Sequence, residues 1–457
     1  IRIEQRIWLT PGRDQVQCAW RLLPSSPGLP RTREPRLRVT LLVAGRDHHH
    51  VNGPDAETPH AVLNGSGISV RWTGLPPLII SAIGGELVID PAWIEAFDLP
   101  LERERGLEDR DRHWRVGHAE LVLRPDGSWA GISAATDGSA KAVDAPDLAG
   151  AIRDQRHPDQ DLLVCASGHG VASADAPDWV RHLVLAADSF LFVRALPDTD
   201  DGLSVIAGYP WFGDWGRDTM IALPGLCLAT GRHDEACRIL GTFARFIADG
   251  LLPNLFPGSG ETAAYHSVDA PLWYLQAWRS YMDTVGDDAT LAEVMPALAS
   301  VIAAYRDGTR FGIRMDPADG LITAGAPGLQ LTWMDAKAGD WVVTPRAGKP
   351  VEINALWYNA LDAMQQFCQR LGADPTPYAD LAEQTRQGFQ RYRRSHGEGL
   401  LDVLDGPDGD DPAIRPNQVF AVSLPASPLD PSAQAGVLSE IAEHLLTSPG
   451  LRSLSPA

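Results

Sequence analysis

The chain has 457 residues, 44% of them apolar and 21% charged, which is typical of a globular protein with room for about three domains. Its 59 acidic and 39 basic residues give a net charge of −20, which argues against nucleic acid or an anionic membrane as the main partner. No apolar run of about 18 residues and no signal-peptide pattern is present, so no membrane span is predicted. The five cysteines form no Cys-x-x-Cys pair, and we expect a cytoplasmic protein without a disulfide framework or zinc site.

The N-terminal part of the chain, residues 1–135, has the pattern of β structure. Several segments alternate polar and apolar residues, as half-buried antiparallel strands do, and clusters of Pro, Gly and Asp separate them. Many short strands without intervening helices predict an antiparallel β-sandwich domain over residues 1–140. The predicted strands are Ile1–Leu9, Gln15–Leu23, Leu37–Val43, Ile68–Trp72, Leu78–Ile83, Glu86–Ile89, Trp114–Leu123 and Trp129–Ser133.

Residues 141–178 are rich in Asp, Ala, Gly and Pro, which predicts a linker region. From Trp179 onward the apolar residues recur with the period of helices, which predicts a helical domain over residues 179–457. Within it, residues 308–351 predict a long loop, and loops of this length in a compact domain are usually functional. The predicted helices are 179–195, 217–230, 233–249, 269–286, 288–307, 352–372, 376–395, 416–424 and 432–446.

A dense set of charged and aromatic residues lies in residues 208–219, directly before a predicted helix. Carboxylates accept hydrogen bonds from sugar hydroxyls, a guanidinium donates in a fork, and an indole covers the apolar face of a pyranose. The set therefore predicts a sugar site, the structural alternative being a helix cap and an Arg–Asp pair on a Trp-rich surface. The candidate substrate-binding residues here are Trp211, Asp214, Trp215, Arg217 and Asp218.

A second acidic and aromatic set lies in the predicted long loop and at the start of the helix that follows it. Three carboxylates within eighteen residues suit glycosidic cleavage, in which one carboxyl must be held protonated near neutral pH. Asp335 is the better catalytic candidate, and we expect neighbouring aromatic residues to bury it. Glu352 as a first-turn helix acid and Asp340 as a solvated loop residue are the structural alternatives. The candidates of this set are Trp333, Asp335, Lys337, Asp340 and Glu352.

Two further motifs are candidates for the same pocket. Asp269 opens the predicted helix that carries Trp273, although helix capping explains it equally well, and Arg415 to Gln418 open another helix. Lys337 and Lys349, two of only three lysines in the chain, cluster here, which indicates that an ammonium group has a function in this segment. No P-loop, Gly-x-Ser-x-Gly or His-Glu-x-x-His motif occurs, and no metal or other cofactor is predicted.

Four of these segments together resemble the amylo-α-1,6-glucosidase part of glycogen debranching enzymes, in its bacterial and archaeal form. The resemblance covers most of residues 185–457, and residues 41–50 and 95–108 more faintly resemble the second half of that family's N-terminal β domain. The four segments are Ala207–Ile221, Ser267–Tyr274, Leu331–Lys337 and Lys349–Tyr358.

The resemblance implies an (α/α)₆ toroid with a central active site that hydrolyses α-1,6-linked glucose at the branch points of a glycogen-type glucan, with inversion of configuration. By their place in the family's motifs, Asp335 corresponds to the general acid, and Arg217 and Asp218 to the pair that holds the terminal glucose in related glucoamylases. The expected partner is a branched α-glucan, whereas no oligomeric state is predicted.

The predicted toroid is incomplete, because it needs twelve helices and about nine are predicted. The family's motif with the catalytic base is expected beyond Ala457, so the chain is expected to be a fragment truncated at both ends and possessing only part of the catalytic machinery. Two alternatives stay open: another toroidal exo-α-glucosidase, similar to a glucoamylase or trehalase, and a glucan-binding protein without catalysis.

Overall fold

The chain divides into two compact units, Ile1–Asp161 and Leu162–Ala457. The first is rich in strands and the second in helices, which confirms the predicted order of a β region followed by a helical region. The structure, a computed structural model, describes residues 2–10, 12–23, 34–47, 50–65, 67–136, 145–154, 156–173, 175–196, 199–209, 212–256, 262–325, 328–395 and 398–456.

The described part of the first unit contains nine strands and two helices, and a third helix continues into the second unit. The strands are β1 (Ile3–Leu9), β2 (Gln15–Leu22), β3 (Arg36–Val43), β4 (His60–Asn64), β5 (Gly67–Arg71), β6 (Leu78–Ile83), β7 (Gly85–Asp98), β8 (Arg110–Val122) and β9 (Ala130–Ala135). The helices are α1 (Pro100–Glu104), α2 (Ala145–Asp154) and α3 (Arg156–Gly168).

These strands form two antiparallel sheets, one in the order β1-β2-β9-β6-β5-β4 and the other in the order β3-β8-β7. Ile68 and Ile80 of the first sheet and Val116 and Leu121 of the second are buried in one hydrophobic cluster. The alternation seen in the sequence therefore places one face of each sheet in a shared core.

Residues 141–178, the predicted linker region, contain helices α2 and α3. Leu148 and Ile152, one turn apart in α2, are buried against Trp129. In α3, Leu162 and Ala166 form a second apolar pair one turn apart. Such isolated pairs are weak signals in a composition rich in Ala, Gly and Asp, and the sequence analysis predicted no helix before residue 179. Residues 137–144 lie outside the described part of the chain.

The second unit contains nine helices that begin within it and twelve short strands, counted over its described residues. The helices are α4 (Asp178–Asp188), α5 (Gly216–Leu223), α6 (His233–Ala244), α7 (Ala270–Thr284), α8 (Asp288–Asp307), α9 (Val351–Leu371), α10 (Thr376–Phe389), α11 (Phe420–Ser423) and α12 (Pro431–His444). The strands are β10 (Leu191–Leu196), β11 (Thr199–Gly208), β12 (Phe212–Asp214), β13 (Arg314–Met315), β14 (Ile322–Thr323), β15 (Lys337–Ala338), β16 (Trp341–Val342), β17 (Lys349–Pro350), β18 (Val403–Gly406), β19 (Gly409–Asp411), β20 (Leu446–Thr447) and β21 (Gly450–Leu451).

Helices α7 and α9 form the centre of this unit. Eleven of the 15 residues of α7 and 14 of the 21 residues of α9 are buried. A helix with most of its residues buried lies largely inside a protein rather than on its surface. Their largest side chains, Trp278 and Trp357, belong to the main hydrophobic cluster of the unit.

The structure differs from the predicted helix over residues 179–195. Helix α4 ends at Asp188, and the chain then enters β10, which pairs with β11 in a three-stranded antiparallel sheet completed by β12. Phe192 and Val193 give this segment β propensity, and its length of six residues is too short for the helical period to be tested.

Helix α8 is the one helix among the described residues that is long and apolar enough to cross a membrane, with a mean hydropathy of 1.2 over its most apolar window. Leu291, Leu298 and Val301 of this helix are buried in the core of the unit. Core helices of globular proteins have the same composition, so α8 alone is weak support for a membrane span.

The first residue of α5, Gly216, touches another part of the backbone. A Cβ atom at this position would lie 2.1 Å from the carbonyl oxygen of Pro253. The Gly216 N–H also donates to the carbonyl oxygen of Asn254 at 3.1 Å. Glycine therefore allows the start of α5 to lie directly on the 253–254 backbone.

We expect Gly216→Ala to lower the free energy of unfolding by about 1–3 kcal/mol, because the added methyl group forces the two backbones apart. Gly241→Ala in α6 is the matched control, since no heavy atom lies within 4 Å of the added Cβ. Alanine is the better helix former, so the control should be neutral or up to ~1 kcal/mol more stable. Denaturant unfolding measures both variants, and equal stabilities would contradict the close approach.

Candidate active site

The centre of the candidate site is the guanidinium of Arg217, in the first turn of α5. Its Nε and Nη2 donate to the two carboxylate oxygens of Asp269 at 2.6 and 2.9 Å, and its Nη1 donates to Oδ2 of Asp335 at 3.3 Å. Burial alone would lower the pKa of Arg217, because it disfavours the charged guanidinium. The two carboxylates outweigh this effect and raise the pKa above its ordinary value. One cation thus joins α5, the N-terminus of α7 and the segment that carries Asp335.

Asp269 lies at the inner side of this arrangement. Its side chain is 2% exposed, and it accepts a third hydrogen bond from Oγ of Ser267 at 2.6 Å. It is also the N-cap residue of α7, as the structural alternative proposed, although its side chain makes no capping hydrogen bond. Asp269 is therefore buried and holds Arg217 in place, and its contact with substrate stays a prediction.

Asp335 lies at the outer side, and its side chain is 43% exposed. The bond from Arg217 is its only hydrogen bond to the described residues. The prediction that neighbouring aromatic residues bury it is wrong, because Trp333 is 40% and Trp341 65% exposed. The Asp335 carboxylate is consequently open to a ligand.

Asp218 is the neighbour of Arg217 in α5 and is also exposed, with no ion pair to any described residue. Protein atoms displace part of its water and thereby raise its pKa above the ordinary value of 3.8. Arg217 opposes this effect, whereas Asp269 and Asp335 add to it by repulsion. The structure therefore brings Arg217, Asp218 and Asp335 together, as the sequence motifs predict.

Asp214 has a different environment from the one predicted. Its side chain is 1% exposed, and both of its oxygens accept hydrogen bonds from Arg194 of β10. Oγ of Ser204 donates to it as well, at 2.7 Å. Both carboxylate oxygens of Asp214 therefore accept hydrogen bonds inside the protein and join β12 to β10 and β11, while its contact with a sugar stays a prediction.

Glu352 is likewise buried, in the first turn of α9, where both of its oxygens accept from Arg346. Burial raises the pKa of Glu352, while Arg346 opposes the shift. Arg346 also donates to both carboxylate oxygens of Asp402, at 2.8 and 3.0 Å. Glu352 is thus a buried ion-pair partner of Arg346, and its role in substrate binding stays a prediction.

Lys349 does not supply an ammonium to the site. It is 3% exposed, and its Nζ lies 2.8 Å from Asp316, 2.8 Å from Asp319 and 2.7 Å from Asp405. These three aspartates form the one group of potential metal ligands found among the described residues, and their ligand oxygens lie within 4.8 Å of one another. The lysine ammonium occupies the place that a cation would take between them.

The remaining candidates lie on or near exposed surface. Lys337, Asp340 and Trp341 belong to the β15–β16 hairpin and are exposed, and their side chains make no hydrogen bond or ion pair with the described residues. Trp215 is half-buried at the N-cap of α5. Trp211 lies outside the described part of the chain.

Three residues that the sequence analysis did not single out form hydrogen bonds or ion pairs with candidate residues or with their partners: Arg194, Ser267 and Asp402. Arg194 lies 20 residues from its partner Asp214, and Asp402 lies 56 residues from its partner Arg346. Ser267 lies 2 residues from its partner Asp269. Only Ser267 falls inside a motif, so proximity to Asp269 was the one available signal.

Comparison with known protein families identifies the family to which the chain belongs. Residues 185–457 match the family described as Amylo-alpha-1,6-glucosidase, and residues 1–130 match the family described as Glycogen debranching enzyme N terminal. The first match alone spans more than half of the chain, so the chain belongs to the glycogen debranching enzyme family.

Among individual proteins, a glycogen debranching enzyme of Saccharomyces cerevisiae is 29% identical over 220 residues, which covers 35% of this chain and 14% of the yeast protein. The matching part thus corresponds to a small portion of that curated relative. A crystal structure of a GH78 family rhamnosidase of Bacillus sp. GL1 aligns with 85% of this chain and 39% of its own, with 13% identity and a TM-score of 0.47.

The raised pKa of Asp218 predicts a dependence of stability on pH. Since folding raises this pKa, ionised Asp218 destabilises the folded state, and the penalty grows as the pH rises above the unfolded value of 3.8. Asp218→Asn should therefore raise the melting temperature at pH 7 by about 1–2 °C. The gain should disappear as the pH falls toward 4.

Asp287→Asn is a control of opposite sign. Hydrogen bonds from Thr290 hold the pKa of Asp287, the N-cap of α8, below its usual range. Loss of this charge should lower the melting temperature at pH 7, and the loss should vanish only as the pH falls through the depressed pKa. Thermal unfolding across this range checks both variants, and a destabilised Asp218→Asn at pH 7 would contradict the assignment.

Proposed function

We propose that this protein hydrolyses α-1,6-linked glucose at the branch points of a glycogen-type glucan, by inversion, with Asp335 as the general acid. The observation that carries the proposal is the exposed carboxylate of Asp335 at the outer side of Arg217, in a chain of the debranching enzyme family. A carboxyl that is exposed but fixed on one side by a cation can meet the oxygen of a glycosidic bond.

Acidic groups outnumber basic groups around Arg217. The carboxylates of Asp218, Asp269 and Asp335 lie near its single guanidinium. Burial raises the pKa of Asp218, and repulsion from Asp269 and Asp335 adds to this effect. A site of this charge suits a reaction in which a carboxyl group donates a proton.

The Arg217–Asp218 pair and Asp335 have different roles in the proposed reaction. Arg217 and Asp218 hold hydroxyls of the terminal glucose by donating and accepting hydrogen bonds. Asp335 protonates the oxygen that joins this glucose to the branch point, while a water molecule attacks the anomeric carbon from the opposite face. In an inverting enzyme the attacking water is activated by a second carboxylate about 6.5–9.5 Å from the acid.

We further propose that the helical unit belongs to the (α/α)₆ toroids. Burial of most residues of α7 and α9 supports this, because inner helices of such a ring contact both neighbours and the outer layer. Arg217, Asp269 and Asp335 meet where α5, the N-terminus of α7 and the segment before β15 come together.

The free state of all five cysteines supports a cytoplasmic location.

The substrate assignment is tested by comparing glucose release from a branched limit dextrin, maltose and trehalose. The proposal requires that the full-length protein release glucose from the limit dextrin fastest. Faster release from maltose or trehalose would identify another α-glucosidase, and binding of the dextrin without release of glucose would identify a glucan-binding protein.

Asp335→Asn keeps the size and polarity of the side chain but removes its transferable proton. Because general acid catalysis contributes about 10²–10⁴-fold, the full-length variant should lose at least this much activity on limit dextrin while it still binds the glucan. α-Glucosyl fluoride, whose leaving group needs little protonation, should be affected far less.

Asp380→Asn, an exposed position in α10, is the control and should retain activity on both substrates. Asp218→Asn should reduce activity on both substrates to the same extent, since it removes a glucose contact. If Asp218→Asn instead spares only the fluoride while Asp335→Asn affects both equally, the acid is Asp218.

Arg217→Lys should lower kcat/KM of the full-length protein by about 10–100-fold, because a lysine cannot donate in the fork that reaches both oxygens of Asp269 and also Asp335. Arg370→Lys is the matched control: its guanidinium pairs with Asp288 at the exposed surface. Steady-state kinetics together with thermal unfolding separate the two effects, and an Arg217→Lys variant with unchanged kinetics would assign a purely structural role to this arginine.

A further inference from the structure

The indole of Trp333 is tied to a buried amide. Its Nε1 donates to Oδ1 of Asn417 at 2.8 Å, although the Trp333 side chain itself is 40% exposed. Asn417 is 1% exposed, and its Nδ2 also lies 3.5 Å from Sδ of Met334. The two residues that precede Asp335 are therefore both in contact with Asn417.

The orientation of the Asn417 amide is fixed by its two partners. Its Nδ2 donates to Oδ1 of Asp402 at 2.8 Å, and the Asp402 carboxylate only accepts hydrogen bonds. The indole N–H of Trp333 only donates, so it must face the amide oxygen. Rotation of the amide by half a turn would break both bonds at once.

Asp402 is in turn held by buried charges. Arg346 donates to both of its oxygens and to both oxygens of Glu352, and Nε of Arg415 lies 3.2 Å from Oδ2 of Asp402. Arg346, Asp402 and Glu352 are all less than 10% exposed. The amide of Asn417 therefore rests on a rigid group of ion pairs beneath the surface.

Asp335 needs such support, because its own contacts are few. It is 43% exposed and receives one hydrogen bond from the described residues, at 3.3 Å from Arg217. Neither the burial of Asp335 nor that of Trp333 fixes the segment. Before Asp335, the carbonyl oxygen of Leu331 accepts from the N–H of Val268 at 2.9 Å, and the Asn417 contact at Trp333 is the anchor nearest to Asp335 on this side. After Asp335, the carbonyl oxygen of Ala336 accepts from the N–H of Val343 at 3.1 Å.

We propose that Asn417 is a positioning residue for acid catalysis: through Trp333 it transmits the rigidity of the buried ion pairs to Asp335. The inference rests on the proposed function, with Asp335 as the proton donor. Asn417 itself does not touch the substrate. A misplacement of a reacting group by about 1 Å can cost about a hundredfold in rate, which sets the size of the expected effect.

The test uses the full-length protein with Asn417→Ala, Trp333→Phe and the double variant. Trp333→Phe keeps an aromatic face and removes the indole N–H. Asn359→Ala is the matched control, since Asn359 is a fully buried asparagine in α9 whose amide bonds Ala355 and Ala426, away from the site.

Two measurements are made on each variant. The first is kcat and KM on limit dextrin and on α-glucosyl fluoride, and the second is hydrogen–deuterium exchange of the backbone amides in residues 331–337. Asn417→Ala should lower kcat on the dextrin about a hundredfold with less than about a threefold change in KM, and should spare the fluoride. Exchange in residues 331–337 should become at least about tenfold faster.

Trp333→Phe should reproduce this pattern, and the double variant should be no worse than the single ones, because both remove the same hydrogen bond. Asn359→Ala should lose stability without selective change in either measurement. Equal losses on dextrin and fluoride, additive effects, or unchanged exchange in residues 331–337 would each overturn the inference.

These outcomes are distinct from failure of the proposed function. If the unmodified full-length protein releases glucose from neither substrate, the proposed function is wrong. The exchange experiment then still decides whether Asn417 anchors the segment, because it does not depend on turnover.

Discussion

The guanidinium of Arg217 is the contact on which the rest of the site depends. It binds Asp269 with two short hydrogen bonds on its buried side and Asp335 with one longer bond on its exposed side. Turning this group toward solvent would leave a buried carboxylate unpaired, and breaking a buried ion pair in this way costs about 3–5 kcal/mol. The remaining N–H groups therefore have fixed directions before any ligand arrives.

Burial divides the acidic residues of the helical unit into two groups with different consequences. Asp214, Glu352 and Asp402 are almost fully enclosed, and each lies against an arginine that satisfies both of its oxygens. Asp218 and Asp335 are exposed and compete for one guanidinium that is already paired. The first group stabilises loops and strands, whereas the carboxylate oxygens of the second group stay open to solvent.

Local patterns in the sequence predict the local parts of this structure. Helix α8 has its predicted bounds because the apolar period extends over twenty residues, and Arg217 and Asp335 are found because each lies in a dense motif. Glu352 could not be separated from them by sequence, since an acid in the first helical turn looks the same whether buried or free. Its environment is set by Arg346 and by Asp402, which pairs with that arginine across 56 residues.

Lys349 shows how the loops around the helical core are joined. The two aspartates of the 316–319 turn and Asp405 of the following hairpin reach it from separate parts of the chain. In many proteins a calcium ion performs this task, and the joint then depends on the ion content of the surroundings. Here the positive charge is covalently part of the chain, so these loops stay connected in the presence of a chelator or at any supply of divalent ions.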